Sequence, residues 1–420
     1  MKKTPKNVLL LIGVLVMGMP GPVWASALAT RDTDVVGAEI RISPGDLPAP
    51  YETPSVANSV RKYKGGAHGT LDLPPGFRVN AFRDDLDHAR WLEVLENGDV
   101  LLAEPRRGAI RLLRDADGDG QAEIKETFLA NLDRPHGMAV VGDWLYIGEA
   151  TQVRRVPLKL GDMVPAGPVE TVTPKGSLGD GRGHWTRNLA FNRAENALYI
   201  SVGSRGNVAE EPLPRASIQR LGLASGNMTT FAEGLRNPVG IAFYPGTGDL
   251  YTVVNERDGF GDELVPDFLT HVRQGAFYGW PYAYIGANPD PDYGDRSPDK
   301  VARTVIPDVL FRSHSAPLGL AFGPESGFPE AYRKDAYVAL HGSWNAADPR
   351  GYKIVRVPFE DGRPSGAYIN FAVGFRVGEG SPPKAWGRPA GLAFGRDGAL
   401  LVADDVSQTI WRISYDPSAL

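Results

Sequence analysis

The chain has 420 residues, 42% of them hydrophobic, and no cysteine, so it can bury a core but cannot use disulfides, cysteine-held metal or thiolate chemistry. Its 45 Lys and Arg against 50 Asp and Glu leave a formal charge of −5 with no basic stripe, which excludes the electrostatic footprint of a nucleic-acid or anionic-membrane partner. The 50 Gly and 35 Pro break any long helical period and point to short strands closed by turns.

The first residues read as a secretory signal peptide. Lys2, Lys3 and Lys6 precede the apolar run "VLLLIGVLVMGM" (8–19), and "ASA" (25–27) offers small residues for cleavage after Ala27. That run of 12 is short for a membrane span of about 20 residues, so no transmembrane segment is expected in the mature chain, which is read as periplasmic or secreted. Residues 28–69 lack strong periodicity and form an N-terminal extension.

From 70 to 416 the chain repeats itself. Six segments share an apolar strand, a polar turn and a second apolar strand: "RWLEVLENGDVLLAE" (90–104), "HGMAVVGDWLYIGE" (136–149), "RNLAFNRAENALYISVGS" (187–204), "VGIAFYPGTGDLYTVVNE" (239–256), "LGLAFGPESGFPEAYRKDAYVALHGS" (318–343) and "AGLAFGRDGALLVADD" (390–405). Their marker positions, Trp91, Gly137, Asn188, Gly240, Gly319 and Gly391, are spaced by 46, 51, 52, 79 and 72 residues, which predicts an all-β, six-bladed β-propeller with inserts in the later blades. "LPPGFRVNAF" (73–82) is expected to supply the strand that closes the ring, with the closing terminus left open.

Within the first repeat, "DADGDGQAEIKE" (115–126) fits an Asp-x-Asp-x-Asp-Gly calcium loop, with Asp115, Asp117, Asp119 and Glu126 as ligands. It lies between two expected strands instead of two helices, so it reads either as a structural Ca²⁺ site or as a polar hairpin turn.

Antiparallel pairing puts the residues before each first strand and after each second strand at one end of the propeller. Four of the seven histidines, His136, His184, His314 and His341, fall at that end, together with Arg236, Asn237, Arg388 and the acidic stretch "NERDGFGDEL" (255–264). The turns of the opposite end are ordinary hairpin chemistry. Histidine suits proton removal, Arg suits carboxylates and carbonyls, and acids with loop carbonyls suit a hard cation. No phosphate-cradling glycine loop opens a helix and no Ser sits in a GxSxG elbow, which leaves nucleotide and serine-hydrolase chemistry without support. By residue type alone, this end is a Ca²⁺-assisted histidine site for a carboxylated or oxygen-rich ligand. A Ca²⁺-dependent lactonase or other hydrolase recruiting Glu104, Glu149, Asn255 and Asp404, and a non-catalytic binding propeller, both fit it.

Taken in order, "GLRNPVGIAF", "NERDGFGDEL", "GAFYGWPY", "SHSAPLGLAF", "HGSWN", "GYKIVRVPF" and "RPAGLAFGRDGALLVADD" resemble the soluble quinoprotein sugar dehydrogenases, in particular the sorbosone dehydrogenase-like branch. The resemblance implies a propeller binding pyrroloquinoline quinone (PQQ) and Ca²⁺, oxidising an aldose or sugar-derived aldehyde and passing electrons to an external acceptor such as a quinone or cytochrome. It implies His184 as the general base that takes the proton of the anomeric hydroxyl, Arg236 and Asn237 as quinone contacts, and Arg388 and Asp404 as further cofactor contacts. The main-chain carbonyls of Arg257 and Asp258 would hold the cofactor's Ca²⁺, with Glu263 a further candidate ligand or, with Asp262, a support of the loop. Where the family has Gly-Pro this chain has Arg257-Asp258, and a family Gln is Val239. The family's lysine on the fifth blade has no counterpart, so His341 or Ser343 is expected in its place, with Lys353 expected inside a strand. His136 either contacts substrate or is a structural histidine, and His314 is expected near the rim.

Overall fold

The computed structural model describes residues 1, 34–63, 70–378, 380 and 382–419. The chain divides into Met1–Arg31 and Asp32–Leu420, and the elements and contacts of the second unit form the fold. The expected signal peptide lies outside the described residues. Among those described, no helix is long and apolar enough to cross a membrane.

The protein is almost entirely β, with one short helix at Pro298–Ala302. Six larger sheets follow one another along the chain. The first pairs Trp91–Val94, Val100–Glu104, Ala109–Arg114 and Ile124–Leu129 in sequential antiparallel order. The second, third and fourth repeat this plan from Met138–Val141, Arg187–Asn192 and Pro238–Phe243, and the fifth and sixth start at Pro317–Phe322 and Pro389–Phe394. The second strands Val100–Glu104, Ala197–Val202, Leu250–Val254, Ala336–Leu340 and Leu400–Asp404 are buried at every position. Sheets packed on both faces explain why these strands read as unbroken apolar runs instead of alternating ones.

The repeated marker position has a steric cause. A Cβ on Gly240 would stand 2.6 Å from the Leu318 carbonyl, on Gly319 2.4 Å from that of Ala390, and on Gly391 2.4 Å from that of Arg90. Gly137 meets Asn188 in the same way, Asn188 Nδ2 donates to the Val239 carbonyl at 2.9 Å, and Trp91 stacks on His136 with ring centroids 5.1 Å apart. The first strands therefore touch in a closed circle, the architecture of a β-propeller, and glycine recurs where one backbone must lie against the next.

Closure comes from the N-terminal side. Phe77–Arg83 pairs with Thr409–Tyr415 as the outermost strand of the last sheet. Phe77 anchors it, edge-on to Phe328, Tyr332, Phe371 and Tyr415 at 4.9–5.2 Å.

The residues ahead of that strand form a strap. Glu39–Ile40 adds a fifth strand to the fifth sheet, and Arg61–Lys62 pairs in parallel with Lys384–Ala385. Between them Tyr51 N donates to the Phe260 carbonyl at 2.7 Å, Thr53 Oγ1 accepts from Asp262 N at 2.9 Å, and Asn58 Nδ2 donates to the Ala346 carbonyl at 3.1 Å. Thr53→Val removes an acceptor while keeping shape, so a loss of about 1 kcal/mol is expected in denaturant unfolding, with faster proteolysis of the 255–263 loop.

Candidate active site

A cavity of about 550 Å³ opens at the end of the propeller where first strands begin and second strands finish. All six sheets reach it, through Arg90, His136, His184, Arg236, His341 and Arg388 among others. The strand direction set by the repeat brings these distant residues to one mouth.

His184 sits on the loop before the third sheet. Its Nδ1 lies 3.1 Å from the Ser204 carbonyl and 2.9 Å from Ser204 Oγ, and that hydroxyl donates its own proton to the Gly206 carbonyl at 2.7 Å. Two oxygens that can only accept there require Nδ1 to carry the proton, so Nε2 keeps its lone pair. No described protein group bonds Nε2. Burial, followed by the charge of Arg236, pushes the imidazole down to about 3, so it is neutral at ordinary pH. The loop carrying it is held by two arginines: Arg187 donates to the carbonyls of Leu178 and Thr186 at 2.6 Å and of His184 at 3.2 Å, and Arg215 to that of Gly203 at 2.9 Å. Arg187 is fully buried with only carbonyl partners, and burial pulls its guanidinium down to about 9.

Beside it, Asn237 accepts from Thr186 Oγ1 at 2.9 Å, leaving its amide NH₂ without a described protein partner. Arg388 donates to the carbonyls of His341 and Gly342 and keeps one terminal nitrogen free of them. Arg236 lines the cavity, but its three nitrogens reach the Asn207 carbonyl at 2.9 Å, the Asn255 carbonyl at 3.2 Å and Asn207 Oδ1 at 3.0 Å. It also stands 3.5 Å from Asp258, so it braces two loops as well as facing a ligand.

His341 is in the cavity wall, with Nε2 3.0 Å from Asp405. Asp405, which sequence reasoning passed over, is the hub of this side: Arg90 Nη1 lies 2.5 Å away and His88 Nε2 3.6 Å away. Burial opposes its charge, but His341 and Arg90 outweigh that and hold the carboxyl well below the usual range. Arg90 and Trp185, whose ring lies 5.5 Å from the guanidinium, were also missed, Arg90 although it opens the first repeat segment. His136 is 1% exposed between Trp91 and Trp185, with Nδ1 unpartnered, and it reaches the same cavity.

Several expected residues lie elsewhere. Asp404 is fully buried beneath the cavity, its Oδ1 accepting from the backbone of Arg388, Val406 and Ser407 at 2.9–3.0 Å and its Oδ2 from Trp411 at 3.3 Å. Glu104 and Glu149 perform the same turn-holding task, accepting from Asp87 N at 2.8 Å and Asp133 N at 2.9 Å. Acids at this repeat position are hydrogen-bond caps, which is why Asp404 does not face a ligand. Ser343 is also buried, exchanging bonds with Arg350. Lys353 is buried in its strand beside Asp34 at 3.4 Å. His314 does line the cavity, but from beneath the fourth-sheet loop instead of the rim, 7% exposed and bonded to Asp258 and to the Gly261 carbonyl at 3.1 Å. Burial opposes its protonation, yet the Asp258 hydrogen bond prevails and raises it.

In the loop after Leu250–Val254, the Arg257 side chain turns inward to Asp290 and over Phe260 at 3.7 Å. The Asp258 carbonyl accepts from Asn207 Nδ2 at 2.8 Å, whereas the carbonyls of Glu256 and Arg257 accept no hydrogen bond from the described residues. Glu263 points away from the cavity to Arg312 and Arg350, both at 3.0 Å, and is a support of the loop rather than a ligand. Facing the cavity instead are Glu256 and Asp267, both unforeseen, which burial raises to about 7 and about 6.

In the first sheet's acidic turn, Asp115, Asp117 and Asp119 gather with Glu123, their ligand atoms all within 4.8 Å of one another. Glu126 is not part of the group: it is exposed on Ile124–Leu129, paired opposite Leu112. The sheet's fourth strand starts at Ile124, two residues before the twelfth loop position, which removes Glu126 from the turn. The carboxylates are largely occupied by backbone amides, as with Asp115 and Gly118 at 2.7 Å.

A family model described as TrAA12-like matches residues 71–274 and 270–416. The chain belongs to the TrAA12-like family. This TrAA12-like protein is 27% identical over 361 residues to an uncharacterized protein of Borreliella burgdorferi, covering 83% of this chain and 91% of that one. It is 26% identical over 356 residues to the pyrroloquinoline quinone-dependent pyranose dehydrogenase of Coprinopsis cinerea, a match covering 69% of this chain but only 45% of that enzyme's length. The holo form of the PQQ domain of pyranose dehydrogenase from Coprinopsis cinerea shares its fold, with a TM-score of 0.69 and 21% identity, covering 85% of this chain and 99% of that domain. The resemblance to soluble quinoprotein sugar dehydrogenases is thereby borne out at the level of the family. The fit extends to donor chemistry: the TrAA12-like cavity is lined both by Arg, Asn and His nitrogens and by carboxyl oxygens.

Proposed function

We propose that this protein is an exported dehydrogenase, dependent on PQQ and Ca²⁺, that oxidises an aldose or a sugar-derived aldehyde of the sorbosone type and passes electrons to an external quinone or cytochrome. The six sheets are read as six blades over 70–416, and 1–27 as a cleaved signal peptide followed by the 28–69 extension. The observation that carries the reading is the neutral His184, whose Nδ1 is locked as a donor and whose Nε2 is free at a cavity reached from all six sheets.

When bound, PQQ supplies the hydride acceptor and Ca²⁺ the Lewis acid that polarises it. The chain's own residues do the rest. His184 Nε2 takes the proton of the substrate hydroxyl as general base. Asn237 and Arg388 present the free donors suited to carboxylate or carbonyl oxygens, and Arg90, paired to Asp405, adds charge on the facing wall. Trp185 and Trp344 line the cavity and exclude water from part of it. A hydrolase with carboxylates converging on a metal from several blades fits less well, because the acids lining the cavity, Glu256, Asp258 and Asp267, all come from the fourth sheet.

Reconstitution tests the reading. Metal-free protein mixed with Ca²⁺ and PQQ is expected to shift the quinone's absorbance, then to reduce an artificial dye when given aldoses or aldehydes. No quinone uptake overturns the proposal, and uptake without turnover on any sugar or aldehyde removes the substrate assignment.

A further inference from the structure

In the first, second and sixth sheets, an acid at the end of the second strand is consumed by capping backbone amides: Glu104, Glu149 and Asp404 each accept from the loop before their own first strand. The fourth sheet departs from this plan. The equivalent position there is Val254, which pairs with Pro238 as Asp404 pairs with Pro389, and Asp267 accepts instead from Glu256 N at 2.9 Å and from Ala316 N, ahead of the fifth sheet, at 2.8 Å. Glu256, two residues beyond Val254, caps no neighbouring loop. Its Oε2 accepts only from the amide of its neighbour Arg257, at 3.0 Å, and Oε1 has no described partner. The side chain is 5% exposed and lines the cavity, and the two cations near it, Arg236 and Arg257, are ion-paired with Asp258 and Asp290 instead.

A carboxylate taken out of water without a counter-charge is costly unless something in its site satisfies it. The adjacent carbonyls of Glu256 and Arg257 are likewise unbonded, so one negative and two neutral hard oxygens remain without partners on one stretch of loop. Hard oxygens of this kind are what Ca²⁺ takes, whereas a quinone carboxylate, itself only an acceptor, is repelled by them.

We propose that Glu256 is a side-chain ligand of the cavity's calcium ion, acting with the carbonyls of Glu256 and Arg257, so that the protein binds this ion before PQQ arrives. The inference rests on the dehydrogenase reading for the identity of the cation. It differs from the expectation of main-chain ligands at Arg257 and Asp258, since the Asp258 carbonyl already accepts from Asn207.

The test is calorimetric titration of metal-free, PQQ-free protein with CaCl₂, in an Asp117→Asn, Asp119→Asn background that silences the acidic turn. One calcium is expected to bind, and Glu256→Gln to weaken it at least about tenfold with an unchanged melting curve. No binding without PQQ, or equal affinity in Glu256→Gln, overturns the proposal. Should that variant fail to fold, hydrogen exchange of the parent decides: Ca²⁺ alone must slow the amides of 255–263, and no slowing refutes the assignment. Quinone uptake, followed separately by absorbance, keeps the two readings apart. Protein that takes up PQQ while its calcium affinity ignores Glu256 loses only this inference, and protein that binds calcium through Glu256 without taking up PQQ loses only the dehydrogenase.

Discussion

His184→Ala is expected to lower kcat by about 10²–10⁴-fold while quinone uptake stays close to that of the parent. The loss follows from geometry, since Ser204 fixes the proton on Nδ1 and leaves Nε2 free, whereas His341 is turned to Asp405, His314 to Asp258, and His136 is 1% exposed between two indoles. The pH profile supplies a second readout. Burial places His184 at about 3, and protonation removes the lone pair, so kcat/KM should hold as pH falls from 8 to 5 and drop only on approaching about 4 to 3. An acid limb near 6.5 would mean a solvated imidazole and would contradict the structure. Retained turnover in the Ala variant would remove the base assignment.

Arg350→Met is expected to destabilise the protein by about 3–5 kcal/mol, because it strips a fully buried guanidinium from two acids at once. Arg350 reaches Asp262 at 2.8 Å, Glu263 at 3.0 Å and the Asp262 carbonyl at 3.3 Å. It is the peg that ties the fifth sheet to the 255–263 loop. A melting temperature lower by roughly 5–10 °C, measured by scanning calorimetry, is the expected sign. Arg350→Lys should recover only part of it, since an ammonium cannot span two carboxylates and a carbonyl in one plane. The sign with pH follows from Glu263, which burial opposes but Arg350 and Arg312 hold below its ordinary value. Its contribution is present above the unfolded carboxylate's range and lost as pH falls through the lowered folded value, so parent and variant should converge in acid. An unchanged melting temperature would show that the loop stands without this peg.

The contrast between Asp404 and Glu256 shows where sequence reading stopped. Both acids stand near the end of a second strand, Asp404 as its last residue and Glu256 two residues beyond Val254. Asp404 is spent on three backbone amides and an indole, whereas Glu256 accepts only from the amide of Arg257. Asp405 and Arg90 escaped notice for a related reason: they meet across the junction between the last and first sheets, more than three hundred residues apart. His184, by contrast, was legible because it opens a repeat.

The sequence alone determined the repeat, the all-β class and the end of the sheets where the chemistry gathers. The apolar strand runs and the glycine markers are local properties, fixed by sheets packed on both faces and by the close approach of backbones at the ring. It also determined which residue types reach that end. Only the tertiary structure decided which of them face the cavity, since that depends on which hydrogen bonds neighbouring loops have already taken: Asp404, Ser343 and Glu263 are occupied, and His184 and Glu256 each keep an atom free.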